Sequence, residues 1–453
     1  MPSPDLKLTI PPDLSIAERL GATLRCQTVS FDENSPPDPF LELHALLERL
    51  YPLVHQSLKK EVINDLSLLY TWEGSQPDLP AIAFLAHQDV VPAADGDAGW
   101  TYPAFSGMLA DGLIWGRGVI DMKSQLITLL EAVEVLLQAG FQPTRTIYLA
   151  FGHDEEIGGW HGALEIARTL KERGIRLDAL MDEGGGVAGG MVPGLQGLIA
   201  TIAYAEKSFA NIRLEAVARA GHSSMPGQTG AIGVLSRAIA CLEQNPMPAS
   251  LEFVQPTIQA LLPRLPLPVR LVFGSLWLTG GLLKSLFSRE PAINAMLRNT
   301  IAPTILQSGY KSNVLPEKAS AVLNCRLLPG QAVDQLLDHI RTVINDPRIT
   351  VTCLDTSAPS KRPGSIQTPW YQDLQARIAE VYGSLPICPI LMVGASDARH
   401  YQDICACVYR FQPISFQKPQ DDRTHGVDER IELSQLPVMV EFNARLMQSW
   451  GSR

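Results

Sequence analysis

Short apolar runs alternate with amphipathic stretches along the first two hundred residues. The segment 81–86 (AIAFLA) is brief and free of charge, which predicts a strand buried on both faces. RTIYLAF (145–151) and LDALM (177–181) have the same character. Between the first two, SQLITLLEAVEVLLQAG sets Leu126, Leu129, Leu130, Val133 and Leu137 at helical spacing, and Gly140 falls where a left-handed cap residue is favoured. LEIARTLKERG (164–174) predicts the next helix. Strands and helices in strict alternation predict a mostly parallel sheet flanked by helices.

The rhythm changes near residue 205. NIRLEAVARA (211–220) and KASAVLNCRLLP (318–329) alternate like half-exposed antiparallel strands, and ITVTCLD (349–355) adds another. AIGVLSRAIACLEQ (231–244) and AVDQLLDHIRTVIN (332–345) read as amphipathic helices. From about residue 365 the α/β pattern returns, with the helix WYQDLQARIAEVYG and the strand CACVYRF. The expected fold is therefore α/β. A catalytic domain in two parts, 1–205 and 361–453, encloses an inserted α+β domain, 206–360, with an apolar insertion at about 247–300. Within that insertion LVFGSLWLTGGLLKSLF (271–287) is the most apolar stretch of the chain. It is short for a membrane span, has two adjacent glycines and carries Lys284, so it predicts a helix pair in a core or an interface.

Composition narrows the function classes. The chain has 453 residues, 46% hydrophobic and 19% charged, which suits a packed globular enzyme. A net charge of −10 without a dense basic run argues against a nucleic-acid partner. The seven cysteines, Cys26, Cys241, Cys325, Cys353, Cys388, Cys405 and Cys407, form no CxxC pair, which argues for reduced thiols in a cytoplasmic setting and against a thiolate metal site. The start, MPSPDLKLTIPPDLS, lacks the basic and apolar regions of a secretory signal, so the expected location is cytoplasmic.

The chemistry gathers behind the predicted strands. His87 and Asp89 follow the first, two residues apart and so facing the same way in extended chain, as a metal ligand and its orienting carboxylate would. Asp121 stands at the head of the first long helix, Glu155 and Glu156 follow the strand 145–151, and Asp182 and Glu183 end the strand 177–181. His425, far downstream, is a second candidate imidazole. Adjacent acids after a buried strand call for a compensating cation. Two imidazoles and several carboxylates without thiolate suit zinc, manganese or cobalt. A bridging carboxylate between two ions roughly 3.5–4 Å apart, with a hydroxide shared by them, is the arrangement such a set allows.

The motifs AHQDVVP, WGRGVIDMKSQ, FGHDEEIGG, MDEGG, AGHSSMPG and HGVDERI together resemble the dizinc amidohydrolase and metallopeptidase superfamily of aminoacylase I, carboxypeptidase S and N-fatty-acyl-amino-acid synthase/hydrolase. The similarity is closest to the last two and runs over nearly the whole chain, including KSNVLPEKASAVLNCRLLPG and GASDARH. It implies two zinc ions per subunit, with His87 on one, Asp121 bridging, and Glu156 and His425 on the second. The remaining ligand is Glu183 or Asp182, Glu183 being favoured by the aminoacylase pattern. Asp89 would orient His87, Glu155 would act as general base, and His222 would donate to the oxyanion. Arg326, Arg399 and Asn313 would grip a substrate carboxylate. The implied substrates are N-acyl, including fatty-acyl, amino acids, with peptides bearing a free C-terminus as the alternative. The inserted domain would be a ferredoxin-like lid through which two subunits pair.

Overall fold

The computed structural model describes residues 6–32, 35–93, 98–190, 196–357, 360, 363 and 365–453. The chain divides into two compact units: Met1–Tyr204 with Gly364–Pro389 and Ser396–Arg453, and Ala205–Pro363 with Ile390–Ala395.

The first unit is built on a large mixed sheet. Its consecutive strands run Lys59–Ile63, Ser67–Trp72, Ile147–Gly152, Ala81–His87, Leu177–Asp182, Cys405–Arg410 and Leu198–Glu206, followed by two short strands. The four central ones, from Ile147–Gly152 to Cys405–Arg410, are mutually parallel. Every residue of Ala81–His87 and Ile147–Gly152 is buried, as expected of charge-free runs covered on both sides by helices. Parallel strands bring their C-terminal ends to one edge, so His87, the loop after Gly152 and Asp182 are gathered there.

The helix Ser124–Gln138 is more deeply buried than its amphipathic pattern implies: every residue but the two at its C-terminal end is shielded. Its polar side is covered by the N-terminal helices. Glu131 pairs with Arg19 and accepts the Tyr51 hydroxyl at 2.8 Å, and Glu134 accepts the N–H groups of Leu53 and Val54 at 2.9 and 3.0 Å. Those partners lie some eighty residues or more away, so the spacing of apolar positions does not reveal them. Gly140 takes the left-handed conformation (φ 73°) anticipated for it.

The second unit holds a four-stranded antiparallel sheet, in spatial order Thr300–Ser308, Lys318–Leu327, Ser208–Val217 and Ile349–Thr356, with the helices Ala231–Gln244 and Val333–Ile344. Chain order βαββαβ and this spatial order make it ferredoxin-like. Inward positions of Ser208–Val217 and Lys318–Leu327 are buried and the alternate ones are not, as their alternation implies. The strand Thr300–Ser308 was not legible in the sequence. It is an edge strand, contains Pro303 and is mostly exposed, so no apolar alternation marks it. The apolar stretch 271–287 lies within two short helices, Leu267–Gly274 and Leu276–Phe287. No helix among the described residues is long and apolar enough to cross a membrane.

Candidate metal centre

The strand Ala81–His87 places its last residue at the sheet edge, and period-two alternation divides the next two. His87 and Asp89 face one side. Gln88 turns to the other, where it donates to the carbonyls of Leu66 and Phe151, both at 2.9 Å, and meets His44 Nε2 at 2.7 Å. Gln88 thus ties neighbouring strand ends together.

His87 Nε2 lies 2.8 Å from Asp121 Oδ1, and His425 Nε2 lies 2.9 Å from Asp121 Oδ2. One carboxylate therefore faces an imidazole with each of its oxygens. His425 Nε2 is also 3.2 Å from Glu156 Oε2, and His87 Nε2 is 3.7 Å from Glu183 Oε1. Two sets of three ligand atoms, from His87, Asp121 and Glu156 and from His87, Glu155 and Glu183, each fit within 4.8 Å. Asp89 is fully buried, and its two carboxylate oxygens accept the N–H groups of Glu155 and Glu156 at 3.1 Å each. His87 Nδ1 lies 2.9 Å from the Asp89 carbonyl and 3.3 Å from its carboxylate, so a single residue fixes both the imidazole and the two-glutamate turn. Glycines make the turn passable: Gly158 and Gly159 have φ of 118° and 67°, and a Cβ on Gly159 would sit 2.3 Å from Asp397 Oδ1.

Burial pushes Glu155 up to about 8, with Glu156 and Asp121 adding to the effect while His87 and Arg399 oppose it. Glu183 is raised well above the carboxylate range, chiefly by burial. Burial would lower His87, yet the hydrogen bonds to Asp121 and Asp89 lift it well above an ordinary imidazole. His425, bonded to Asp121 and Glu156, rises to about 10. Among the described residues, Glu156 Oε1 is buried without a hydrogen-bond partner. A buried carboxylate oxygen with no donor, beside two imidazoles and three further carboxylates, suits a divalent cation. The residues present therefore fit a metal centre of oxygen and nitrogen ligands.

Of the remaining candidates, Asp182 belongs to neither three-residue set and accepts the Ala398 N–H at 2.8 Å. Arg399 sits close by, with Nη1 3.8 Å from Glu155 Oε1 and Nη2 donating to Gly158 O at 2.6 Å. His222, Asn313 and Arg326 belong to the second unit. There His222 is exposed on the two-residue strand Gly221–His222, paired with Val314–Leu315, and the Asn313 carbonyl accepts the Ser223 N–H at 3.1 Å. Gly230 is the N-cap of the following helix, and no side chain among the described residues caps it. Arg326 lies over the Phe209 ring at 5.7 Å.

Two residues that the sequence reading did not single out hold the Asp121 loop. Glu429, fully buried, accepts from Arg117 Nη1 at 2.7 Å and from the N–H groups of Gly118, Ile120 and Asp121 at 3.1, 2.7 and 3.3 Å. Arg117 Nη2 reaches the His425 carbonyl at 3.1 Å. Burial raises Glu429 to about 7, with Arg117 and the loop amides pulling the other way. The only hint in the sequence is position, four residues beyond His425 in HGVDERI.

This arrangement defines a metal-dependent hydrolase, and the comparisons agree. The profile of Peptidase family M20/M25/M40 matches residues 83–449, and the chain belongs to that family. Among its relatives, the probable carboxypeptidase S-like 2 of Dictyostelium discoideum is 35% identical over 443 residues, covering 96% of this chain and 85% of the relative. The N-fatty-acyl-amino acid synthase/hydrolase PM20D1 of Xenopus tropicalis is 35% identical over 439 residues, with the same coverages. Among solved structures, an M20 family metallo-carboxypeptidase from Sulfolobus solfataricus shares the fold at a TM-score of 0.69 and 16% identity, over 96% of this chain and 99% of the other.

Proposed function

We propose that the chain is a two-metal amidohydrolase that splits the amide bond of N-acyl amino acids, fatty-acyl ones included. The observation that carries this reading is the Asp121 carboxylate with one imidazole on each oxygen and Glu155 beside it. His87 and Glu183 would hold one ion, Glu156 and His425 the other, with Asp121 between them. Glu183 is preferred to Asp182 because its oxygen faces His87, whereas Asp182 accepts a backbone N–H. Two bound divalent ions, zinc in this reading and manganese or cobalt as substitutes, would polarise the substrate carbonyl and acidify a water.

This chain's own residues do the rest. Asp89 holds His87 in place and aims Glu155. Glu155, ionised beside the two cations, would take the water's proton and pass it to the departing amine nitrogen. His222 would donate to the oxyanion from Nε2, with Nδ1 held by Ser224, 3.1 Å from its N–H and 2.7 Å from its Oγ. Arg399, Arg326 and Asn313 are assigned to the substrate's free carboxylate. The exposed edge strand Thr300–Ser308 supports pairing of two copies through the second unit. A cytoplasmic location belongs to the same proposal and rests on cysteines without a paired-thiol motif.

The acyl substrate is preferred because of the similarity to N-fatty-acyl-amino acid synthase/hydrolases. The likeness to carboxypeptidase S-like proteins supports a second reading, peptides with a free C-terminus. Chelator-stripped protein reloaded with zinc, manganese or cobalt should regain hydrolysis of an N-lauroyl amino acid faster than of a Gly-Leu dipeptide. The reverse order would establish the peptidase reading. Activity that survives stripping would reject both.

A further inference from the structure

The helices Leu267–Gly274 and Leu276–Phe287 turn one side inward. Phe273, Leu276 and Phe287 pack on a small cluster around Val254, Ile258 and Leu297, and Thr279 Oγ1 ties the two helices by donating to Val272 O at 2.7 Å. The other side is bare. Trp277 is 88% exposed, Leu278 70% and Leu282 69%, and Leu267, Leu271 and Leu286 are each more than half exposed. Leu278, Leu282 and Leu286 stand four apart and so form one stripe along the helix. A contiguous apolar patch of this kind marks a surface that meets an apolar partner.

Charge identifies the partner. Between Glu252 and Glu290, both exposed, the sequence carries Arg264, Arg270, Lys284 and Arg289 and no acidic residue, in a chain whose net charge is −10. Arg264, Arg270 and Arg289 are exposed. A second copy docked on the same face by two-fold symmetry would set these cations against each other. A bilayer surface bearing anionic headgroups accommodates both features, tryptophan and leucine among the acyl chains and cations among the headgroups. We propose that this helix pair docks on the surface of a membrane rich in anionic lipid, lying in the interface without crossing it. The proposal stands independently of the reaction assigned above.

The test is co-sedimentation of the full chain with phosphatidylcholine vesicles, with and without phosphatidylglycerol, beside a Leu278→Glu/Leu282→Glu variant. Turnover of a water-soluble acetyl amino acid or dipeptide, light scattering and circular dichroism accompany it. The wild type should sediment with the phosphatidylglycerol vesicles and be released by salt, and the variant should bind about tenfold less or weaker still. Its helical signal, oligomeric state and any soluble-substrate turnover should be unchanged. Absence of sedimentation with either vesicle, or equal sedimentation of the variant, would overturn the proposal. So would a wild type that ignores vesicles but is a dimer that the variant breaks, since the face would then belong to a second copy.

Discussion

Glu429→Gln keeps the volume of a buried side chain and removes its charge. The glutamate accepts four donors, the Arg117 guanidinium and three backbone N–H groups of the Asp121 loop. In either orientation the amide of glutamine sets an NH2 against donors, and Arg117, itself buried, loses its counter-charge. Removing one partner of a buried ion pair costs about 3–5 kcal/mol. In a unit of this size that corresponds to a fall of roughly 5–8 °C in the unfolding midpoint. Because Arg117 also holds the His425 carbonyl, zinc affinity should fall about 10–100-fold as well. The assays, run above pH 8 where Glu429 is ionised, are thermal unfolding of the metal-free protein by circular dichroism and zinc titration against a competing chelator. The double variant Arg117→Met/Glu429→Gln, with both charges gone, should recover part of the lost stability. A Glu429→Gln protein that melts within about 1 °C of wild type and binds zinc equally would refute the reasoning.

Three further outcomes are expected. Glu155→Gln should keep its metal, because the Glu155 N–H on Asp89 is untouched, while kcat drops about 10²–10⁴-fold; an unchanged kcat would remove the general-base role. Zinc binding near neutral pH should release about two or more protons, since the metal-free cluster holds His425 at about 10 and His87 well above the usual imidazole value; calorimetry in buffers of different ionisation enthalpy counts them, and a count of zero would contradict the ligand set. Lys207, buried and held by the carbonyls of Ala295 and Arg298, is lowered by burial from 10.5 to about 7. The unfolded chain therefore binds the extra proton between these values, and stability should rise with pH across that window; Lys207→Met should lessen the rise, and an unaltered slope would refute it.

Much of this architecture was legible because backbone periodicity is a local property. The runs at 81–86, 145–151 and 177–181 became adjacent parallel strands, and the helix over 231–244 forms as read. Residues whose roles depend on distant partners were not legible. Glu131 and Glu134 look like the solvent face of a helix until Arg19, Tyr51 and the backbone at 53–54 close over them. Glu429 and Gln88 act through hydrogen bonds to segments remote in sequence, and Pro303 with an exposed edge hid the strand Thr300–Ser308. The juxtaposition of His87, Asp121, Glu155, Glu156, Glu183 and His425 lies between these cases. Each sits at a strand end or helix head that the pattern locates, yet only their joint resemblance to a known family, and then the structure, brings them together.

The most direct test of the account is anomalous scattering at the zinc edge from crystals of the zinc-loaded protein. Two peaks roughly 3.5–4 Å apart are expected, one beside His87 and one beside His425, with the Asp121 carboxylate between them. A single peak, or peaks away from Asp121, would contradict the two-metal centre.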